Sequence, residues 1–348
     1  MLLIGTFNRD SSLSLPADRK TYETAEQGLV RQIAAWTGSA FIGDDCAYLP
    51  DFGLVTTDTL VEGEHFRLDW TDLESLGYKS CAVNLSDIAA MGGRPRYITV
   101  ALSLPRHFEE RQVKRFYQGV ADCAAKHRAL IVGGDLTACD KLIVSITALG
   151  QPGSHGVLYR SGAKAGDLVV ASGTFGESAL GLSLLLGNCM PAGYPQFADF
   201  YRAHFRPEPK VAAGLAFAEA TGGRGALMDS SDGLADALLQ IARASGVALE
   251  LDRELVLAEN LRQTALARGL DPYKLALYGG EDYELVGTLS AVDFEKLKVL
   301  APQFRVIGRV SACSVANDES RVTVIQAGSA LSGEAACLDL SNCFQHFW

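Results

Sequence analysis

The chain has 348 residues, enough for two ordinary domains, and its 48% apolar and 21% charged residues are the balance of a globular protein. A net charge of -10 argues against a nucleic-acid backbone or an anionic membrane as the main partner. No apolar run approaches the roughly 20 residues of a membrane span, and the eight cysteines, without a C-x-x-C pair, suit reduced thiols in the cytoplasm rather than a disulfide framework or a structural zinc site.

Residues 1–22 read as a loose polar arm, and Met1–Phe7 is too short and lacks the basic start of a signal peptide. A helix is expected over Glu23–Trp36, where Leu29, Val30, Ile33 and Ala34 recur at helical spacing. Short apolar runs then lead into acidic clusters: 40–42 into Gly43-Asp44-Asp45, and 53–55 into Thr56-Thr57-Asp58. The stretch Leu73–Met91 suits a buried helix and contains Asn84-Leu85-Ser86-Asp87. A strand over Tyr97–Leu104, an amphipathic helix over Phe108–His127, and a strand at 130–132 stopped by Gly133-Gly134-Asp135 come next. Lys141–Leu149 reads as a further strand, and the crowd of Pro152, Gly153 and Gly156 marks a boundary.

Past it we expect a strand over Asp167–Ser172, helices over Glu177–Leu186 and Pro207–Thr221, and an apolar run ending in Asp229-Ser230-Ser231-Asp232. A helix over Gly233–Ser245, the motif Gly279-Gly280-Glu281-Asp282 and a strand over Tyr283–Leu289 complete the pattern. Both halves mix helices and strands, which favours an α+β layer architecture over a doubly wound nucleotide-binding sheet.

Asp45, Asp58, Asp87, Asp135, Asp229 and Asp232 read as lying in or beside loops after apolar segments, often next to glycine, and strand-end loops are where ligand groups gather on a rigid scaffold. One aspartate after a strand is ordinarily a cap or turn residue. Six of them point to magnesium, which takes hard oxygen ligands and needs only one or two carboxylates per ion beside substrate phosphates. The chain carries no G-x-x-x-x-G-K-[ST] loop, no G-x-G-x-x-G fingerprint and no G-x-S-x-G elbow. Asp51-Phe52-Gly53 spells a protein-kinase triplet, but no H-R-D precedes it, and we read it as a chance turn.

The ordered set GDDCAYL (43–49), TTDTLVEGEHF (56–66), AVNLSDIAAMGGRP (82–95), GGD (133–135), YRSGAKAGD (159–167), DSSDGL (229–234) and GGEDYEL (279–285) resembles the thiamine-monophosphate kinase family. That family lies in the ATP-binding superfamily that also holds aminoimidazole ribonucleotide synthetase, and the resemblance runs from about Glu23 to Phe347. It implies a two-domain fold: an N-terminal ATP- and magnesium-binding α/β sheet domain over 23–152, forming a homodimer interface, and a mixed-sheet C-terminal domain over 153–348. It implies ATP-dependent phosphorylation of thiamine monophosphate to thiamine diphosphate, with several Mg²⁺ ions. Asp45, Thr56, Thr57, Asp58, Asp87, Asp135, Asp229 and Asp232 would hold metal. Gly134, Asp135, Arg160 and Ser231 would contact ATP, and His65, Glu281 and Phe344 the thiamine substrate.

The acceptor is itself a phosphate, ionised at neutral pH, so no general base is needed, and His65 is expected as a substrate contact. What opposes reaction is repulsion between two anions, which metal ions and Arg160 would relieve. Competing readings are a purine-synthesis amidine ligase, a selenophosphate-forming or carbamoyl-dehydrating relative, an idle nucleotide-binding protein and a phosphatase. The cysteine-dependent relatives fit poorly, since no cysteine precedes Cys46 and the chain ends in Trp348.

Overall fold

The computed structural model describes residues 24–312, 322–325, 336–338 and 340; the arm expected over 1–22 and Phe344 lie outside them. Helix α1 (Ala25–Thr37) opens with a capping box in which Thr24 and Gln27 satisfy each other's backbone N–H, and it ends at Gly38 in the left-handed region. The run 40–42 forms no strand. Strands β1 (Ala47–Leu49) and β2 (Gly53–Val61) form an antiparallel hairpin, and the Asp51-Phe52-Gly53 triplet is its turn. Helix α2 (Leu73–Ala90) starts where the Asp72 carboxylate accepts from the Glu74 and Ser75 amides, and it is buried along nearly its whole length.

Strand β3 (Gly93–Leu104), helix α3 (Glu110–Lys126), strand β4 (Leu130–Ala138) and strand β5 (Ile143–Pro152) complete a five-stranded sheet in the order β1-β2-β5-β3-β4. Only β3 and β4 run parallel, and α3 carries the chain between them. Helices α2 and α3 touch backbone to backbone: a Cβ on Gly77 would meet the Phe116 carbonyl at 2.0 Å, and one on Gly119 the Glu74 carbonyl at 1.8 Å. Sequence pattern placed a stop at Gly133-Gly134, but β4 runs straight through both. A Cβ on Gly134 would lie 2.0 Å from the Val100 carbonyl, so the glycine lets two strands approach rather than ending one.

The second half builds a seven-stranded sheet from β6 (Leu168–Ala171), β7 (Ala226–Asp229), β8 (Val247–Asp252), β9 (Leu285–Leu289), β10 (Arg305–Ala312), β11 (Val322–Ile325) and β12 (Ala336–Cys337). Its order is β12-β11-β8-β10-β6-β9-β7, with only β8 and β11 parallel. Helices α4 (Glu177–Leu186), α5 (Ala198–Phe205), α6 (Val211–Thr221), α7 (Leu234–Ser245), α8 (Glu259–Ala267), α9 (Pro272–Tyr278) and α10 (Ala291–Leu300) surround it. One core joins α7 and α9 to the sheet through Leu238, Ile241, Val286 and Leu249; another joins α6 and α10 through Phe217, Leu297 and Leu289. The prolines at 207 and 209 precede α6 rather than opening it, since the helix begins only at Val211. Mixed sheets with helices packed on them make this an α+β fold. Among the described residues no helix is long and apolar enough to cross a membrane.

Candidate active site

Strand alternation sets the first part of the site. Along β2, Leu54 and Leu60 are buried, and the period of two sends Thr56 and Asp58 to that same face, against α2. Thr56 Oγ1 donates to Asp87 Oδ2, and Asn84 Oδ1 accepts from the Asp58 amide. Thr57 points the other way: its hydroxyl donates to the Ile146 carbonyl at 3.1 Å and accepts from Thr147. Asp58 and Asp87 are thus held on regular elements, not in strand-end loops as the sequence pattern suggested.

Asp45, Asp87 and Asp229 converge, each offering an oxygen within 4.8 Å of the others. Asp45 comes from the loop before β1, Asp87 from the last turn of α2 and Asp229 from the end of the fully buried strand β7. Burial, then repulsion from Asp58, Asp229 and Asp45, raises the Asp87 carboxyl well above its ordinary range. Burial and Asp45 likewise raise Asp229, against the Ser86 hydroxyl that donates to it. Burial, then Asp236 and Glu26, pushes Asp232 up to about 7. Three hard oxygen donors whose charges repel one another fit a divalent cation of the magnesium type.

Arg160 lies against this cluster. Its Nη2 is 2.9 Å from Asp45 Oδ1, its Nη1 donates to Gln240 at 2.6 Å, and its amide donates to Asp44. Gln240 in turn donates to Asp236, which also accepts from Gln27 of α1 at 2.6 Å. The guanidinium is therefore aimed by a chain of polar contacts reaching from α1 through α7.

A cavity of about 780 Å³ opens beside the cluster. Asp58, Asp87, Ser231 and Asp232 line one part, Phe66, Trp70, Leu186 and Tyr278 another, and His65, Lys79, His204 and Glu281 join its wall. His65 Nδ1 accepts from the Val61 amide at 3.1 Å, which fixes the ring. Glu281 pairs with Lys79 Nζ at 2.8 Å and with His204 Nδ1 at 3.1 Å. Burial alone would raise the Glu281 carboxyl, but Lys79 and His204 outweigh it and hold the group well below the usual carboxylate range. Its backbone and that of Tyr283 stand at φ 68° and 51°, left-handed for non-glycine residues, and their amides donate to the Ser231 and Ser230 carbonyls. The glycine-rich turn and the Asp229–Asp232 turn are thereby laced together.

Comparison with known proteins places this geometry. The family described as AIR synthase related protein, N-terminal domain, matches residues 43–151. A thiamine-monophosphate kinase of Bacillus subtilis is 40% identical over 266 residues, 74% of this chain and 79% of its own length. One of Synechococcus elongatus is 38% identical over 341 residues, 95% of this chain and 99% of its own. The chain belongs to the thiamine-monophosphate kinase family. Among solved structures, AaThiL complexed with AMPPCP and TMP superposes with a TM-score of 0.77 at 31% identity, covering 94% of this chain and 99% of that one. The thiamine monophosphate kinase of Aquifex aeolicus gives 0.75 at 32%, covering 82% and 93%.

Of the residues the family resemblance assigns, Asp45, Thr56, Asp87 and Asp229 come together, and Asp58, Thr57, His65, Ser231, Asp232 and Glu281 line the adjoining cavity. Gly134 and Asp135 stand apart on β4, at the far edge of the sheet, where Asp135 is exposed and accepts from Thr137 at 3.0 Å. Asp282 caps α4, accepting from the Gly176 and Ser178 amides, so it holds the loop rather than facing the cluster. Lys79 and His204 escaped the sequence reading. The available signal was Lys79 itself, a lysine in a helix rich in apolar and small residues, since a buried lysine requires a partner.

Proposed function

We propose that this chain transfers the γ-phosphoryl group of ATP directly to thiamine monophosphate, giving thiamine diphosphate, with magnesium in the aspartate cluster. The observation that carries this reading is the junction of the Asp45, Asp87 and Asp229 oxygens with a cavity bearing His65 and Glu281, in a chain of this family. Asp45, Asp58, Asp87, Asp229 and Asp232, with Thr56 and Thr57, are the proposed metal set within one chain, and Asp135, on the far β4 edge, would join it only across a homodimer. Gly134, Asp135, Arg160 and Ser231 are the proposed ATP contacts, and His65, Glu281 and Phe344 the acceptor contacts.

Magnesium, when bound, supplies positive charge that screens the phosphates from one another. The protein's own part is positioning. Asp87 and Asp229 are prepaid in repulsion, so a cation relieves them. Arg160, aimed by Gln240, adds a fixed guanidinium beside Asp45. Phe66, Trp70, Leu186 and Tyr278 give part of the cavity an apolar wall, which disfavours water in a reaction where hydrolysis competes with transfer. His65, whose Nδ1 is taken by the Val61 amide, orients acceptor rather than moving a proton.

We further propose the division near Pro152, a cytoplasmic location, and a homodimer formed through the first domain. Support for the dimer comes from β4, a sheet edge with no further strand among the described residues, which exposes Leu130, Val132 and Leu136, of which Leu136 is 64% accessible. A coupled assay for ADP tests the substrate, with thiamine monophosphate, formylglycinamidine ribonucleotide and selenide offered in turn. ADP release that depends on thiamine monophosphate and Mg²⁺ is expected; release with only a purine precursor would overturn the reading.

A further inference from the structure

Lys79, Val83 and Asp87 follow one another at helical spacing along α2, and all three line the cavity. The metal cluster and the Lys79–Glu281 pair are therefore set at two ends of one helix face, roughly 12 Å apart by helical rise. An acceptor with phosphate at one end and rings at the other would span that interval. At the ring end Glu281 is gripped on both oxygens: Oε1 by Lys79, whose side chain is 4% exposed, and Oε2 by His204, 6% exposed. His204 Nδ1 also lies 3.1 Å from Ser178 Oγ at the start of α4. Four elements, α2, α5, α4 and the strained 279–283 turn, thus meet on one carboxylate.

We propose that Lys79 and His204 are positioning residues for acceptor specificity, gripping the two Glu281 oxygens so that the carboxylate stays turned to the cavity at its apolar ring end. Each Glu281 oxygen spends one lone pair on its partner and keeps another for the cavity. The wall so made suits a ring system bearing a positive charge or N–H donors, and it disfavours neutral apolar rings of the same size, which would leave those remaining lone pairs facing an apolar surface. The Glu281 and Tyr283 amides, donating to the Ser231 and Ser230 carbonyls, hold the turn's left-handed backbone, and Lys79 and His204 fix the side chain that it presents.

This inference rests on the kinase reading, and the experiment separates the two. Wild-type turnover with thiamine monophosphate tests the reading; calorimetric binding of thiamine monophosphate without ATP tests the positioning. Lys79→Met should weaken that binding and raise the KM for thiamine monophosphate by about tenfold or more, while kcat and the KM for ATP move by less than about threefold. Lys79→Arg should recover most of the loss, and His204→Asn should fall between. In a Glu281→Gln background, which also removes the unpaired charge if Lys79→Met alone folds poorly, Lys79→Met should add less than about twofold, since it acts through Glu281. Unchanged acceptor binding in Lys79→Met, or an equal loss with and without Glu281, would overturn the proposal even where turnover confirms the kinase.

Discussion

The Asp229 carboxyl is buried near Asp45 and Asp87, and burial, then repulsion from Asp45 and Asp58, disfavours its ionised form. In metal-free protein the ionised cluster therefore opposes folding. Because the folded group titrates higher than the unfolded one, this penalty is absent below about pH 4 and grows as pH rises toward neutrality. Asp229→Asn removes it while keeping an oxygen to accept from Ser86. We expect the metal-free variant to melt a few degrees higher than wild type at pH 7.5, with the gain vanishing near pH 4. The same variant should lose about a hundredfold or more in Mg²⁺-dependent turnover. Thermal scans with chelator at the two pH values, beside a steady-state assay, read both effects.

Among single residues, the legible ones were those whose type alone announces chemistry, such as Asp45 beside Asp44 or Glu281 after two glycines. Lys79 and His204 were not legible, because their role is to face Glu281, 202 positions from Lys79 by their numbers, and no local pattern encodes that pairing. Asp58 and Asp87 were assigned the right neighbourhood for the wrong reason: they come from the interior of a strand and a helix, which hold a carboxylate more firmly than a loop does.

At the scale of elements, α2 carries the site and α3 carries α2. The two helices meet where Gly77 and Gly119 allow backbone contact, and α2 brings Lys79, Asn84, Ser86 and Asp87 to their partners. Gly119→Ala puts a methyl 1.8 Å from the Glu74 carbonyl, so the helices must separate. We expect a loss of about 2–3 kcal/mol, read as a lower denaturation midpoint with unchanged slope in urea. The helical periods of α1, α3 and α4 were plain in the sequence, and α4 matches the expected span of Glu177–Leu186. Strand ends were less plain. Gly133-Gly134 reads as a stop, yet the close approach of β3 and β4 at Val100 requires glycine there, and that requirement is tertiary.

Among the described residues, one sheet packs on α2 and α3 and a second sheet packs between helices, and the first leaves β4 as an open edge. That edge bears Asp135, away from the Asp45, Asp87 and Asp229 cluster of its own chain. If the homodimer forms there, Val132→Asp should convert the sedimenting species to a monomer, a change that analytical ultracentrifugation reads directly. The overall class was legible because both halves mix helix and strand patterns and the P-loop and dinucleotide motifs are missing, while the convergence of distant aspartates needed the fold.

The central claim is phosphoryl transfer from ATP to an acceptor phosphate at the aspartate cluster. Its most direct test follows the label from γ-labelled ATP in the presence of thiamine monophosphate. The account predicts label in thiamine diphosphate, lost when Mg²⁺ is chelated and lost in Asp229→Asn. Label appearing only in inorganic phosphate, or unchanged transfer in Asp229→Asn, would contradict it.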